Sequence, residues 1–307
     1  MALTYQSITK LLKYLAVFVL TVLLISQNTF ATEEKASAEN FVIALTGKYK
    51  VLNSELRDSQ FKRPVVLKSS ESPADLKGEI YAVLDYPFEQ VNGAINNPNH
   101  WCDALILHIN VKYCEAIKNN AGTVLNINLG KKYDQPLAET YKAKFNYNSM
   151  TSAANYFSVE MKAIEGPLGT KDYRIWVEAT PINQNQTFLH FTYAYSFGLT
   201  GRLTMKGYLA TIGKDKVGFS IESNQLNGDP NYIQGVRGVV ERNTMRYYLA
   251  IDAYLAAMKH KPETQQEKRL EYWFDGTEQF AKQLHELERM EYLDMKRKEI
   301  NRQSVSK

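Results

Sequence analysis

Residues 78–101, GEIYAVLDYPFEQVNGAINNPNHW, decide the fold of this chain. The first eight residues alternate in the manner of a β-strand. Pro87 then opens a short helical pattern, because proline is favoured in the first turn of a helix. Its apolar residues share one face, namely Phe88, Val91 and Ile95. The Asn97-Pro98-Asn99 step ends that helix. A strand followed by a short helix is therefore predicted here.

Five later segments repeat the period-two alternation: residues 123–130, 140–148, 156–163, 172–182 and 187–197. In the last segment, alternate positions from Leu189 to Phe197 are all apolar or aromatic. Gaps of hairpin length separate most of these segments, which favours an antiparallel meander. Each strand has one apolar face, so the sheet must be covered.

Residues 236–258 supply the predicted cover. Their apolar positions recur at helical spacing, whereas Arg237, Glu241, Arg242, Arg246 and Asp252 fall mostly on the other side. At 1.5 Å per residue this helix would be about 35 Å long, enough to cross a sheet. Residues 216–223 resemble one more strand, and residues 198–211 a short helix or a loop.

The N-terminal 31 residues are typical of a secretory signal. Lys10 and Lys13 are their only charges, an apolar run follows at 15–25, and Thr29-Phe30-Ala31 has small residues where signal peptidase cleaves. Cleavage near Ala31 and a periplasmic or secreted location are predicted, with a retained membrane anchor as the alternative. Residues 32–76 are interpreted as an N-terminal arm that partly packs on the main domain.

The C-terminal residues 261–307 alternate charges, and Thr277, Phe280, Leu284 and Leu287 mark an amphipathic helix. This charged helical tail is interpreted either as a solvated helix or as a surface that docks a protein partner.

Composition limits the function. Charged residues make up 23% of the chain and the net charge is only +4 without a basic block, so no nucleic-acid partner is predicted. The 20 tyrosines suit a wide sheet or an aromatic-lined pocket, and composition does not separate the two. No pattern for a cofactor or a nucleophile elbow is present.

The order of elements resembles the helix-grip fold of START-like lipid-binding domains, the birch-pollen-allergen class and polyketide cyclase-like proteins. Pro87, Phe88, Val91, Pro98 and Trp101 stand where that superfamily has its first helix and the step into the second. Residues 236–258 resemble its closing helix. The resemblance covers about residues 76–259. It implies an α+β domain at 77–260, with an insertion at 198–229, in which a curved antiparallel sheet wraps a long C-terminal helix around an apolar cavity.

Both cysteines lie in residues 97–114. His100, Cys102, His108 and Cys114 could be metal ligands, but their spacing matches no zinc pattern, and no metal is predicted. A cysteine nucleophile with a histidine base is a second alternative. In the resembled arrangement, Cys102 begins the second helix and Cys114 lies in the next strand. An even cysteine count in an oxidising compartment then favours a Cys102–Cys114 disulfide.

Members of the superfamily that this chain resembles bind sterols, phospholipids, plant hormones or polyketides, and a minority of them are enzymes. The resemblance therefore implies a binding protein first and an enzyme second. The leading hypothesis is an exported, non-catalytic carrier of a hydrophobic small molecule, with lipid as one candidate and transient membrane contact as a further expectation. The candidate cavity residues are Tyr141, Phe145 and Tyr195 from the sheet and Val240, Tyr247 and Ile251 from the helix.

Arg174, Trp176 and His190 join the ligand-binding set if their strand face is the inner one. Otherwise Arg174 and Glu178 form a charge pair on the outer face, and His190 is a hydrogen-bonded sheet residue. A cyclase or hydrolase would need titratable groups in the cavity, for which His190, Arg174, Glu178 and Asp103 are the candidates. A third hypothesis is an interaction protein whose cavity is filled by its own side chains.

Overall fold

The computed structural model describes residues 39–305, apart from residues 121, 199–200, 202–203, 206, 208, 210–212 and 225–227. The predicted signal peptide at 1–31 and much of the segment 198–211 lie outside the described residues. Among the helices that are described, none combines the length and apolar character needed to cross a bilayer.

The described residues form an eight-stranded antiparallel sheet in the order β1-β2-β8-β7-β6-β5-β4-β3. The strands are β1 Val65–Glu71, β2 Asp75–Leu84, β3 Val111–Asn119, β4 Gly122–Leu129, β5 Tyr141–Ala153, β6 Tyr156–Glu165, β7 Thr170–Pro181 and β8 Thr187–Phe197. The predicted meander is β4 to β8. Because β8 pairs with β2, the last strand of the meander returns beside the strand of the opening stretch.

The helices are α1 at 39–57, α2 Phe88–Ile95, α3 Pro98–Leu105, α4 Gly235–Ala257, α5 Pro262–Glu278, α6 Ala281–Leu284 and α7 Arg289–Val305. Helix α4 packs on β1, β2 and β8, where Val240 and Ile251 join the buried apolar side chains of the sheet. This is the α+β helix-grip arrangement, and the long closing helix predicted at 236–258 is confirmed to within one residue at each end.

The predicted disulfide is confirmed. Cys102 of α3 and Cys114 of β3 are bonded, so the bridge ties the second short helix to the last strand of the sheet order. Both sulfurs are therefore unavailable as metal ligands or as a nucleophile. Within the described part of the chain, no group of three or more His, Cys, Asp or Glu side chains is arranged to hold a metal ion.

Removing this disulfide is expected to destabilise the protein. A Cys102→Ala/Cys114→Ala variant should lose about 3 kcal/mol, since the bridge closes a loop of about 13 residues. The measurement is the free energy of unfolding in urea. Reductant should destabilise the wild type and leave the double variant unchanged. Two free thiols in the non-reduced wild type, counted by mass spectrometry, would contradict the bridge.

The N-terminal arm forms part of the folded domain. It supplies the edge strand β1, which the sequence interpretation did not separate from the arm, and helix α1 covers the outer face of the sheet. Leu45, Leu52 and Leu56 of α1 are buried with Tyr156 and Phe188, which point away from α4. Both faces of the sheet are therefore covered by helices.

The C-terminal tail is packed into the fold, which corrects its interpretation as a solvated helix. Helix α5 packs along α4, and α7 packs on β3. The Trp273 and Tyr292 rings stack with centroids 4.9 Å apart. The side-chain amide oxygen of Gln303 accepts a hydrogen bond from the Cys114 N–H at 3.0 Å, so α7 satisfies a donor of β3.

Three smaller predictions need correction. The amphipathic helix expected around 277–287 is interrupted, because α5 ends at Glu278 and Phe280 turns inward to contact Phe61 and Phe219. Of residues 216–223, only the end is a strand, Ile221–Asn224, and it pairs with Pro230–Tyr232 in a separate two-stranded sheet.

The charged residues of α4 are the third correction. Glu241, Arg242 and Arg246 are 0%, 3% and 3% exposed, although the helical pattern placed them mostly away from the apolar face. The segment 216–220 and helices α5 and α6 contact this side of α4. Glu241 accepts hydrogen bonds from the N–H groups of Phe219 and Ser220 at 2.6 and 2.9 Å. The buried carboxylate of Glu241 is thus satisfied by the chain itself.

Candidate functional site

A cavity of about 430 Å³ lies between the inner face of the sheet and α4. Strands β4, β5, β7 and β8 form one wall, α4 forms the opposite wall, and the loop between β4 and β5 closes one side. Most of the lining surface is apolar. The cavity occupies the position that the helix-grip resemblance implies, and the side chains of the described residues do not fill it.

The aromatic part of the lining is a tyrosine wall, which we define as Tyr141, Phe145, Tyr173, Tyr193 and Tyr195 of the sheet together with Tyr247 of α4. Residues two apart on one strand share a face, which brings Tyr193 and Tyr195 of β8 beside Tyr173 of β7. The Tyr173 and Tyr195 rings stack at 5.2 Å, and the Tyr193 ring lies 5.2 Å from that of Tyr247 on α4.

The tyrosine wall is uncharged. Burial raises the pKa of Tyr173 to about 12 and raises the pKa values of Tyr193, Tyr195 and Tyr247 above that of an exposed tyrosine. These rings therefore present aromatic faces and neutral hydroxyl groups. Such surfaces suit an apolar or aromatic molecule that also carries a few hydrogen-bonding atoms.

Another part of the lining is polar. We define the cationic end as Lys132, Arg242 and Arg246, with Glu286 as the carboxylate behind it. Lys132 Nζ lies 2.6 Å and Arg246 Nη2 lies 2.7 Å from the same Glu286 oxygen. Burial lowers the pKa of Lys132 to about 8, with Arg246 and Lys216 adding to the effect and Glu286 opposing it.

His108 also lines the cavity, in the turn between α3 and β3. Its ring is 2% exposed and stacks on Tyr247 with centroids 4.5 Å apart. Burial, together with Arg246 and nearby lysines, holds the pKa of His108 well below its ordinary range, so the imidazole is neutral. Nδ1 accepts the Asn110 N–H at 3.2 Å, which places the ring proton on Nε2.

Four of the sequence-predicted ligand residues line the cavity: Tyr141, Phe145, Tyr195 and Tyr247. Val240 and Ile251 are buried in the core instead, at 0% and 1% exposure, and do not line it. Helix α4 is buried on most sides, so helical spacing alone did not identify the side that borders empty space. The α4 residues that line the cavity are Val239, Arg242, Asn243, Arg246 and Tyr247.

Arg174, Trp176 and His190 do not line the cavity, which corrects their place in the predicted ligand set. They alternate with Tyr173, Ile175 and Phe191, so they occupy the outer face of the sheet. Arg174 pairs there with Asp75.

The titratable groups considered for catalysis are also elsewhere. Glu178 accepts a hydrogen bond from His190 at 2.8 Å on the outer face, and Asp103 pairs with Arg269 at 2.8 Å. None of the four candidate catalytic residues borders the cavity. The enzyme hypothesis therefore loses the residues on which it depended.

The outer-face cluster predicts a pH dependence of stability. Burial opposes charge on His190, but hydrogen bonds to Glu178 and to Glu79 at 3.2 Å outweigh burial and raise the pKa of His190. The hydrogen bond from His190 lowers the pKa of Glu79 to about 2. The stabilisation from His190 is complete below its unfolded pKa of about 6.5 and is lost as the pH rises through the folded value. The stabilisation from Glu79 is present above its unfolded pKa near 4.3 and is lost as the pH falls towards 2.

His190→Gln should therefore destabilise the protein most between about pH 4.5 and 6.5, where both groups are charged. Urea unfolding of wild type and variant at about pH 3, 5.5 and 9 measures the difference. A difference that is constant across these three pH values would contradict a charged His190 in this cluster.

Comparison with known proteins finds similarity in structure only. No protein-family model and no curated protein sequence matches this chain. Norcoclaurine synthase from Thalictrum flavum is 14% identical, with 47% of this chain and 93% of that chain covered and a TM-score of 0.33. The Zhui aromatase/cyclase from Streptomyces sp. R1128 is 10% identical, with 46% and 86% covered and a TM-score of 0.34.

A conserved protein from Geobacillus kaustophilus is 18% identical, with 45% of this chain and 86% of that chain covered and a TM-score of 0.31. By its own architecture, this chain has an α+β helix-grip fold, in which the eight-stranded antiparallel sheet packs on the long helix α4. Similarities at this level do not carry over a ligand or a reaction.

Proposed function

We propose that this chain is an exported binding protein for a hydrophobic small molecule held in the cavity between sheet and α4. The observation that carries the proposal is the cavity of about 430 Å³, which persists inside a core whose other large side chains are fully buried. Protein interiors are close-packed, and voids larger than a water molecule are few. An apolar space of this size is typical of a ligand site.

A site that binds an apolar molecule needs few specific polar contacts. Each Å² of apolar ligand surface removed from water contributes about 25 cal/mol, so enclosure alone supplies most of the affinity. A few polar groups then fix the orientation of the ligand. The volume lies at the lower end of the range of about 300–1,000 Å³ for ligand pockets, which favours a ring-sized or single-chain molecule over a two-chain phospholipid.

Export rests on two features of the chain. The N-terminal 31 residues have the charge and apolar pattern of a signal peptide. The Cys102–Cys114 bridge fits an oxidising compartment such as the periplasm or the extracellular space. A carrier in such a compartment would move an apolar molecule through water without itself entering a bilayer.

Native mass spectrometry of the protein, purified from its own cells without detergent, tests the proposal. The expected spectrum contains a mass adduct that disappears on denaturation and is identified in the organic extract as one hydrophobic small molecule. A spectrum of the unliganded chain alone, together with no binding across a panel of fatty acids, sterols and aromatic compounds, would contradict the proposed function.

A further inference from the structure

Positive charge is concentrated at one end of the cavity. Lys132, Lys216 and Arg246 all contact Glu286, at 2.6, 3.3 and 2.7 Å. Three cations thus share one carboxylate that is 8% exposed. Arg242 adds a further guanidinium to the lining, and its Nη1 donates to the Val217 carbonyl at 3.0 Å. Among the described lining residues, the acidic one is Glu139. It lies in the β4–β5 connection and is exposed, whereas Glu286 is buried among the cations.

A hydrogen-bond donor without a protein partner accompanies these charges. His108 Nε2 is shielded from solvent and has no hydrogen-bond partner, although its ring carries a proton at that position. A buried donor left unsatisfied costs about 1–3 kcal/mol, so such groups usually have a partner in the functional state. The described lining residues therefore include a ring N–H for which no protein atom is the acceptor.

We infer that the molecule bound in the cavity is an amphipathic anion, with an apolar or aromatic body on the tyrosine wall and a carboxylate, sulfonate or similar group at the cationic end. The inference rests on the proposed function and specifies its ligand class. Lys132 and Arg246 pair with the anionic group, and His108 donates Nε2–H to one of its oxygens.

The tyrosine wall would contact the apolar body of such a molecule, and the cationic end would contact its anionic group. Tyr247 carries the tyrosine wall to the polar end, because it contacts Tyr193 on one side and His108 on the other. An anion beside Lys132 would offset the like-charge repulsion from Arg246 and Lys216, and would raise the pKa of Lys132 from about 8. Binding of the anion should therefore weaken above pH 8, when Lys132 loses its proton.

A pair of fluorescent probes separates the two contributions. 8-Anilinonaphthalene-1-sulfonate and N-phenyl-1-naphthylamine share one aromatic body, and only the first carries a negative charge. Their dissociation constants are measured for the wild type, for Lys132→Met and for the matched control Lys144→Met. Lys144 is exposed on β5, on the face opposite Phe145, so both variants lose one lysine charge.

Lys132→Met is expected to weaken sulfonate binding about tenfold and to change binding of the neutral probe by less than about twofold. Lys144→Met should leave both probes unchanged. Between pH 7 and 9.5 the sulfonate should bind progressively more weakly to wild type, and with little change to Lys132→Met. Equal effects of Lys132→Met on both probes, or no effect on either, would overturn the inference while the carrier function stands.

His108→Phe provides an independent test, because phenylalanine retains the ring stacked on Tyr247 and removes the Nε2–H donor. Sulfonate binding should weaken about threefold to tenfold with the neutral probe unaffected, in a variant whose urea midpoint shows that it is folded. Unchanged sulfonate affinity would exclude His108 from the anion site. Failure of both probes to bind wild type would contradict the proposed function and the inference together.

Discussion

Replacing Glu299 with leucine is expected to destabilise the folded protein by about 3–5 kcal/mol, because it leaves two lysines buried without their partner charge. Lys112 Nζ and Lys296 Nζ each lie 2.8 Å from a Glu299 oxygen, and all three side chains are 0% exposed. The lysines also donate to backbone carbonyl groups, Lys112 to Ile109 and Lys296 to His108 and Val111. Those bonds remain in the variant, but the charge is no longer balanced.

The free energy of unfolding in urea measures this effect. Glu291→Leu is the matched control, since Glu291 lies on the same helix and is exposed; it loses only the hydrogen bond accepted from the Glu288 N–H at the start of α7 and should cost about 1 kcal/mol or less. Burial lowers the pKa of Lys296 to about 8 although Glu299 raises it, so the lysine loses its proton more readily in the variant and the penalty of Glu299→Leu should decrease as the pH rises. Equal, small effects of both substitutions would show that α7 does not pack on β3 in solution.

Filling the cavity should abolish binding without unfolding the protein. Val239 borders the cavity from α4 and is only partly buried, so a Val239→Trp side chain has room to occupy the ligand space. The affinity for N-phenyl-1-naphthylamine is expected to fall about tenfold or more, while stability changes by less than about 1 kcal/mol. Fluorescence titration and urea unfolding measure the two quantities.

Ile117→Trp is the control for this prediction, because it places the same ring at an exposed position of β3. It should leave probe affinity unchanged. Unchanged binding by a folded Val239→Trp variant would mean that the probe binds somewhere other than the cavity.

The strands of the meander and the closing helix could be predicted because their apolar residues follow periods of two and 3.6. Which face of β7 and β8 was the inner one could not be predicted. Helix α1 covers the outer face, where Tyr81, Tyr156 and Phe188 are buried, so both faces carry aromatic residues. Alternation identifies residues that share a face and does not say what covers that face.

Charge in the sequence misled the interpretation of the C-terminal tail. Lys296 and Glu299 of α7 look like residues of a solvated helix, and only Lys112, 184 positions before Lys296 in the chain, explains their burial. Long-range pairs of this kind have no local signal.

The polar part of the site was missed for a similar reason. Lys132 lies in the β4–β5 loop, which reads as a polar connection. Arg242 and Arg246 were placed mostly away from the apolar face of the helix, yet both line the cavity. His108 was considered only as a metal ligand or a base beside the cysteines. An isolated histidine within the apolar run 105–109 was the one available signal.

The central claim is that an apolar molecule occupies the cavity between the inner face of the sheet and α4. A crystal structure of the protein grown with N-phenyl-1-naphthylamine tests this most directly. The predicted result is probe density between Tyr195 and Val239, in contact with Tyr247. A space closed by the protein's own side chains, or a probe bound only on the outer face beneath α1, would contradict the claim.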